Sequence, residues 1–271
     1  MSIKLVAIDM DGTLLNEHGQ LNPATVKAVK AAKVAGVKIV LCTGRPLPGI
    51  QQFLPELELN EPGDYAITYN GALVQHTSDG HVLAKHTLTY ADYLRIEYAA
   101  QLIGVHSHAE DEVAIYTANH DISSYTVNEV ALVNMPLKFQ TADQFSRDHV
   151  FSKMMLIDDP EILAAAQKHL PDDIKKDYYL VNSEPYYLEV LNKKASKGNG
   201  LADLANHLGI AVTETMAIGD QANDLSMLEY AGTAVAMGNA IDAVKNIANV
   251  VTETNINDGV AQAINDLVLG D

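Results

Sequence analysis

The sequence predicts an α/β fold, a doubly wound parallel sheet with a smaller α+β domain inserted into it. Apolar runs of strand length alternate with helical segments at both ends of the chain, which is typical of parallel βαβ units. The middle of the chain instead shows hairpin signals and mixed short elements. With 271 residues, 48% of them apolar, the chain can fill a sizeable core and still carry an insertion.

The first part of the chain has the order strand, helix, strand, helix, strand. Asn22 can cap the first helix, which begins at Pro23, and Gly36 ends it. The strands are apolar without a polar break, as expected for strands buried on both faces. We predict these elements at Ile3–Ala7, Pro23–Ala35, Val37–Cys42, Ile50–Leu54 and Tyr65–Tyr69.

From about residue 73 the pattern changes, and Asp79-Gly80 between two apolar stretches predicts a hairpin, Leu73–Gln75 with His81–Lys85. We place the inserted α+β domain at 84–189 and the core at 1–83 and 190–271. Its predicted helices are Thr89–Ile103, Ile122–Leu132 and Pro160–His169. Its predicted strands are Val105–His108, Val113–Thr117, Phe151–Ile157, Tyr178–Val181 and Tyr186–Leu191.

Regular alternation of helix and strand returns after the insertion. A glycine-containing turn at 196–200 leads into a helix that Gly209 closes. A strand then ends in Gly219-Asp220. The predicted elements are Leu201–Leu208, Thr215–Ile218, Leu225–Tyr230, Thr233–Ala236, Ile241–Ile247 and Gly259–Leu267.

The net charge of the chain disfavours partners that are themselves polyanions. A net charge of −17 disfavours nucleic acid and anionic membranes, although a bound divalent metal would still let an acidic protein bind phosphates.

Cys42 is the single cysteine, so no disulfide forms within the chain. The start lacks the zones of a signal peptide and no apolar run could span a bilayer. We therefore expect a cytoplasmic protein.

The segment IDMDGT, residues 8–13, directly follows the first strand. Asp9 and Asp11 are two residues apart in an extended segment, so both carboxyl groups can address one small site, and Gly12 lets a ligand approach closely. A calcium loop also begins D-x-D, but it needs glutamate at its twelfth position, where this chain has Gln20.

Asp9, Thr43 and Asp220 each follow a predicted buried strand. Since the carboxyl ends of parallel strands share one edge, these residues can converge, and Asp224 lies within a turn of Asp220. Clustered carboxylates need a cation to stay ionised. Oxygen ligands without clustered cysteine or histidine favour Mg²⁺ over zinc.

This set of groups predicts phosphoryl transfer. Asp9 would attack phosphorus, and Asp11 would protonate the leaving alcohol and later deprotonate water. Thr43 and a lysine would hold the phosphoryl oxygens, and Arg45 would contact the substrate. Spacing alone does not choose between Lys197 and its neighbours at 193 and 194.

Four segments resemble, in order and spacing, the motifs of the haloacid dehalogenase superfamily: IDMDGT, Thr43-Gly44-Arg45, Lys197-Gly198 and GDQANDLSML. Asn70-Gly71-Ala72 and the position of the insertion are similar to the Cof-type branch, with its YidA-like sugar-phosphate phosphatases. The resemblance covers essentially the whole chain. It implies a Rossmann-like core and a C2-type cap that closes over the site and sets substrate specificity.

The resemblance also assigns roles to particular residues. Lys197 becomes the catalytic lysine beside Asp9, Asp11 and Thr43. The implied substrate-binding residues are Gly12, Gly44, Arg45, Asn70, Gly71 and Asn223. The implied Mg²⁺ ligands are Asp9, the carbonyl oxygen of Asp11, and Asp220, with Asp224 in support. Asp11 favours phosphate chemistry, because haloacid dehalogenases lack this second aspartate.

We therefore expect a Mg²⁺-dependent phosphatase for small phosphorylated metabolites, with sugar phosphates as the favoured class. A phosphosugar mutase of the same fold and a ligand-binding regulator without turnover are the alternatives. His106 and His108, with Glu110 and Asp111, could form a second metal site, but a polar stripe facing solvent is the more common outcome of such a pattern. The sequence identifies neither the substrate nor the oligomeric state.

Overall fold

The computed structural model describes residues 2–270 and divides into two compact units. Residues up to 85 together with residues from 196 onward form the core unit, and residues 86–195 form the inserted unit. The predicted boundary at 190 divides a strand, Tyr187–Asn192. That strand pairs antiparallel with Lys153–Ile157, and this pairing keeps it in the inserted unit.

The strands are short. In chain order they are β1 Leu5–Ile8, β2 Lys38–Cys42, β3 Tyr65–Thr68, β4 Leu73–His76, β5 Val82–Lys85, β6 Leu88–Thr89, β7 His106–Glu110, β8 Ile115–Thr117, β9 Leu137–Phe139, β10 Val150–Phe151, β11 Lys153–Ile157, β12 Tyr178–Glu184, β13 Tyr187–Asn192, β14 Thr215–Gly219, β15 Thr233–Ala236 and β16 Val250–Val251. Five of them, β1, β3, β8, β11 and β14, are buried along their whole length.

The helices vary more in length. In chain order they are α1 Pro23–Val34, α2 Leu54–Leu57, α3 Tyr90–Ile103, α4 Ser124–Val133, α5 Pro160–Gln167, α6 Asp172–Asp177, α7 Lys197–Leu208, α8 Leu225–Tyr230, α9 Asp242–Ile247 and α10 Gly259–Ile264. No helix within residues 2–270 is both long and apolar enough to cross a membrane.

The sheet of the core unit has the strand order β16-β15-β14-β1-β2-β3-β4-β5. It is parallel from β16 to β3, and the predicted hairpin β4–β5 extends it with antiparallel pairs. Strand β1, LVAI, lies at its centre with every residue buried, as its unbroken apolar sequence predicts. The predicted α/β fold with a parallel core sheet is confirmed.

The inserted unit is built on a sheet of order β12-β13-β11-β7-β8-β9. Alternate residues of its strands point to opposite faces. One face packs with α3, α5 and α6 in an apolar cluster that includes Ile96, Leu163 and Ile174. The opposite face carries charged and polar residues, among them Glu110 and Lys153, together with Glu129 from α4.

Some elements differ from the prediction, and the reasons are local. Helix α7 begins at Lys197, not Leu201, because the Ser196 hydroxyl accepts a hydrogen bond from the Asn199 N–H and caps it despite the glycines. Helix α6 and the short strands β9 and β16 were not predicted, since they are too short to show a period.

Candidate active site

The predicted site residues lie at one edge of the core sheet. Asp9 follows β1, Thr43 follows β2 and Asp220 follows β14, and these three strands are neighbours in the sheet. All three residues are buried. The order β14-β1-β2 therefore places the two carboxylates and the hydroxyl side by side at the carboxyl end of the sheet, where such folds bind ligands.

Lys197 joins two of the carboxylates. Its Nζ donates to Asp9 Oδ1 at 2.5 Å and to Asp224 Oδ1 at 2.6 Å, and its side chain is fully buried. The other oxygen of Asp224 accepts the backbone N–H groups of Asp220 and Gln221 at 2.8 and 2.9 Å. Asp224 is thus fixed on both sides, and it fixes Lys197 against Asp9. Lys193 and Lys194 belong to the inserted unit.

Burial and charge shift the pKa values of these groups. Burial, followed by repulsion from Asp224, raises the pKa of Asp9 well above its usual range, although Lys197 opposes the shift. Burial also raises the pKa of Asp220, against a hydrogen bond from Thr13. Burial alone would lower the pKa of Lys197, but Asp224 and Asp9 outweigh it and raise that pKa. The cluster therefore holds more negative charge than one lysine balances.

The donor set suits a hard cation. Asp9, Asp220 and Asp224 each offer one carboxylate oxygen, and these atoms lie within 4.8 Å of one another. Oxygen atoms are the ligands that Mg²⁺ prefers. Asp220 has no lysine partner, and its contacts are Thr13 Oγ1 at 2.8 Å and the Gln221 amide at 3.3 Å. Asp9 and Asp220 are thus the best-placed side-chain ligands. Asp224, already engaged through both oxygens, suits a supporting role.

Asp11 does not join this buried cluster through its side chain. Its carboxylate is 58% exposed and forms a two-point ion pair with Arg45, whose Nη2 and Nε lie 2.6 and 2.9 Å from its oxygens. Arg45 also contacts the carbonyl oxygen of Gly49 at 3.4 Å. The carboxyl group that we predict as the acid is therefore on the solvent side of the site. The Asp11 carbonyl oxygen stays a predicted metal ligand.

The turn after β2 and the turn after β3 are joined by hydrogen bonds. The N–H groups of Asn70 and Tyr69 donate to the carbonyl oxygens of Thr43 and Arg45, at 2.9 and 3.2 Å. The Asn70 side chain accepts from the Asn223 amide at 3.1 Å. This bond brings together two predicted substrate-binding residues from distant parts of the chain. Gly44 lies against Asn70, where an added Cβ would be 3.0 Å from its amide nitrogen.

Two glycines of the predicted set are required by close approach. Gly12 has φ +83°, and a Cβ there would lie 2.6 Å from an Asp220 carboxylate oxygen. Gly71 has φ +90°, and a Cβ there would collide with the Ser196 carbonyl group immediately before Lys197. Gly71 thus has a clear packing role in bringing α7 to the site. Its role in substrate binding stays a prediction.

Two further residues of the site were missed from the sequence. Thr13 binds Asp220 through its hydroxyl, and its position inside the IDMDGT segment was the available signal. Asn239 follows β15 at the same sheet edge, and its amide donates to the Gly12 carbonyl oxygen at 2.8 Å. No motif marks Asn239, because only the sheet order places it beside the first loop.

The histidine pair of the inserted unit does not converge on one site. His106 Nδ1 lies 3.0 Å from an Asp158 oxygen, while His108 Nε2 lies 3.2 Å from Glu110. The expectation of a stripe that faces solvent is wrong for His108, whose side chain is fully buried. Asp111 instead approaches His149 and Tyr116. Among residues 2–270 the group of carboxylate and histidine side chains close enough to hold a metal ion is the aspartate cluster of the core unit.

Comparisons with known proteins agree with this geometry. A family model described as haloacid dehalogenase-like hydrolase matches residues 6–264. YxeH of Bacillus subtilis, which carries a provisional phosphatase name, is 46% identical over 266 residues, 98% of each chain. YcsE of the same organism, a 5-amino-6-(5-phospho-D-ribitylamino)uracil phosphatase, is 33% identical over 99% of this chain and 97% of its own.

A solved structure is similar over the whole fold. The sugar phosphatase BT4131, whose structure is described as subclass IIB of the superfamily, has a TM-score of 0.79 and 27% identity. The match covers 97% of this chain and 98% of that one.

Proposed function

The chain belongs to the haloacid dehalogenase-like hydrolases, as a Cof-type phosphoric monoester hydrolase, and from that premise we propose that it hydrolyses sugar-type phosphates with Mg²⁺ through an aspartyl phosphate on Asp9. One observation carries the proposal. The Asp9 carboxylate, buried and held by Lys197, lies with Asp220 and Asp224 at the carboxyl edge of the sheet.

The aspartate cluster would hold the metal through Asp9 and Asp220, with Asp224 behind them. When bound, Mg²⁺ supplies positive charge that offsets the charge of the carboxylates and of the phosphoryl oxygens. Lys197 holds one Asp9 oxygen in a fixed position. A fixed nucleophile loses little freedom on reaching the transition state.

The reaction has two displacements. An Asp9 oxygen attacks phosphorus, the bond from phosphorus to the ester oxygen breaks, and Asp11 gives its proton to the departing alcohol. Water then attacks the phosphorus of the aspartyl phosphate and gives a proton to Asp11, which releases orthophosphate and restores Asp9. Thr43, Lys197 and Asn223 would bind the phosphoryl oxygens in both steps.

Relatives suggest the substrate class. YcsE is named for a phosphorylated ribityl compound, and BT4131 is described as a sugar phosphatase. Both descriptions name a phosphate ester on a hydroxyl-rich carbon chain. We propose the same class here, with Arg45 and Asn70 on the substrate side. That the inserted unit selects among such substrates also stays a prediction.

The test uses the purified full chain with Mg²⁺, p-nitrophenyl phosphate and a panel of sugar and sugar-alcohol phosphates. We expect orthophosphate release, with a higher turnover on the sugar and sugar-alcohol phosphates than on p-nitrophenyl phosphate. Acid quenching followed by mass spectrometry should find one phosphoryl group on the peptide that contains Asp9, most abundantly in Asp11→Asn.

The controls separate this function from its alternatives. Asp9→Asn should give neither orthophosphate nor a phosphorylated peptide at this position. Isomerised sugar phosphate without orthophosphate would instead identify a mutase. If neither product forms with any member of the panel, the substrate proposal is wrong. A phosphoryl group found on another residue would contradict the role of Asp9.

A further inference from the structure

The outer side of α3 in the inserted unit carries an apolar stripe. Leu94, Tyr98 and Leu102 are four residues apart and so lie on one side of the helix. Their exposed fractions are 39%, 66% and 61%. The opposite side of α3 is buried in the apolar cluster of this unit through Ile96 and Ala100. Helix α3 is thus apolar on two sides, and residues 2–270 cover only one of them.

A groove in the same unit is lined by α5. It lies between the end of α3, at Ile103, and the outer side of α5, and it measures about 460 Å³. Ile162 and Ala165 line it, and Ile162 is 48% exposed. Glu161 and His169 stand at its ends. The groove and the α3 stripe are two apolar features of the inserted unit.

The charges on α5 are arranged symmetrically about its centre. Glu161 is at the start and Lys168 directly follows the last helical residue, about 10 Å apart at 1.5 Å per residue. The exposed residues between them include Ala164 and Ala165, which are small enough for another helix to come close. Neither Glu161 nor Lys168 has an ion-pair partner in the part of the chain that the structure describes.

We propose that this surface binds a second copy of the same chain about a twofold axis. Two α5 helices would cross antiparallel at Ala164 and Ala165. In that register Glu161 of each copy meets Lys168 of the other, so the same ion pair forms twice. A twofold contact requires a self-complementary surface, and an acid and a base equidistant from a small-residue centre satisfy this requirement.

The charge of the whole molecule limits which surfaces two copies can share. Two copies, each with a net charge of −17, repel one another across most approaches. On α5 the outward positions carry one acid and one base, and the α3 stripe carries no charge. A contact through this helix therefore brings opposite charges together, and apolar area is available to be buried.

The test measures the mass of the full-length protein by sedimentation over a range of concentrations. We expect a dimer in the wild type. Ile162→Glu places an unpaired charge within the apolar contact and should raise the dimer dissociation constant about a hundredfold or more. Val34→Glu is the matched control, since Val34 is 87% exposed on α1 of the core unit and should leave the dimer unchanged.

Charge reversal tests the antiparallel register. Glu161→Lys alone and Lys168→Glu alone should each weaken the dimer, because like charges then face each other twice. The double reversal should restore it. Circular dichroism checks that each variant is folded. A wild type that stays monomeric, an Ile162→Glu variant that still dimerises, or a double reversal no tighter than the single ones would overturn the proposal.

Discussion

Each unit of this protein buries one lysine among carboxylates, and the two arrangements differ in what the lysine reaches. In the inserted unit, Lys153 Nζ lies 3.2, 3.5 and 3.9 Å from oxygens of Glu129, Glu110 and Glu189. In the core unit, Lys197 Nζ reaches Asp9 and Asp224, while Asp220 depends on a hydroxyl and an amide.

Burial and neighbouring charges shift pKa values in both clusters. Burial opposes ionisation of Glu110, but Lys153 and His108 outweigh it and lower its pKa. Burial and neighbouring acids instead raise the pKa of both Asp9 and Asp220. Burial also raises the pKa of Glu129 in the inserted unit, so acids outnumber the lysine in both clusters. The clusters differ in that Lys153 lies near all three carboxylates, whereas within residues 2–270 Asp220 forms no ion pair with a lysine. A buried carboxylate without a lysine contact can be stabilised by a bound cation, which is what a metal site requires.

The comparison is tested most strongly by Asp9→Asn. Loss of the nucleophile should lower turnover at least about ten-thousandfold. Since the folded state raises the pKa of Asp9, ionising this group costs folding stability as the pH rises above the ordinary pKa of an aspartate. The variant cannot ionise there, so it should melt no lower than the wild type at neutral pH without Mg²⁺. Phosphate release and thermal melting check the two expectations. A large drop in melting temperature would show that Asp9 is a structural residue.

The matching change in the inserted unit is Lys153→Met. It leaves buried glutamates without their cation and should lower the free energy of unfolding by about 3–5 kcal/mol. The loss should shrink as the pH falls and the carboxyls take up protons. In the wild type, by contrast, the lowered pKa of Glu110 gives stability that is present above its ordinary pKa and is lost on acidification.

Urea unfolding followed at several pH values measures this effect. Lys153→Arg keeps the charge and is the matched control, which should lose much less stability. A Lys153→Met variant equally stable at neutral pH would mean that the cluster does not depend on its lysine.

Asp11→Asn sharpens the contrast between buried and exposed acids. Since this carboxyl is exposed and lies outside the buried cluster, its loss should leave the melting temperature nearly unchanged. Turnover should fall about a hundredfold or more, because acid–base help is lost in both steps. Steady-state rates with p-nitrophenyl phosphate, compared with wild type, provide the measurement. Normal turnover would remove Asp11 from the mechanism.

The smallest expected effect concerns Thr13. Its hydroxyl orients Asp220, so Thr13→Ala should raise the Mg²⁺ concentration for half-maximal activity about tenfold. Thr13→Ser keeps the hydroxyl and should behave like the wild type. Titration of Mg²⁺ after removal of bound metal with EDTA gives the comparison. If the two variants behave alike, the contact has no part in metal binding.

The sequence predicted those elements whose position depends on a local pattern of apolar and polar residues. Buried strands such as β1 and β14 show as unbroken apolar runs, and polar residues after them mark the sheet edge. Sheet order then brings Asp9 and Asp220 together. Short elements such as β9 carry too few residues to show a period, and the capping effect of Ser196 was hidden by the glycines after it.

The charge cluster of the inserted unit could not be predicted. Glu110, Glu129 and Lys153 are far apart in the chain, and single charged residues are usually solvated. They meet because antiparallel pairing sets Lys153 opposite Glu110, and α4 brings Glu129 over the same face. His108 was misread for the same reason, since no local pattern shows which face of β7 a helix will cover.

Strand β1 has a consequence for synthesis of the chain. Its two neighbours are β2, which follows closely, and β14, which comes only after the whole insertion. On the ribosome, the edge of the apolar strand LVAI therefore stays unpaired until residues 215–219 have emerged. Such an edge can pair with another nascent chain. The second segment of the core unit, which is synthesised after the insertion, therefore supplies the strand that covers the edge of β1.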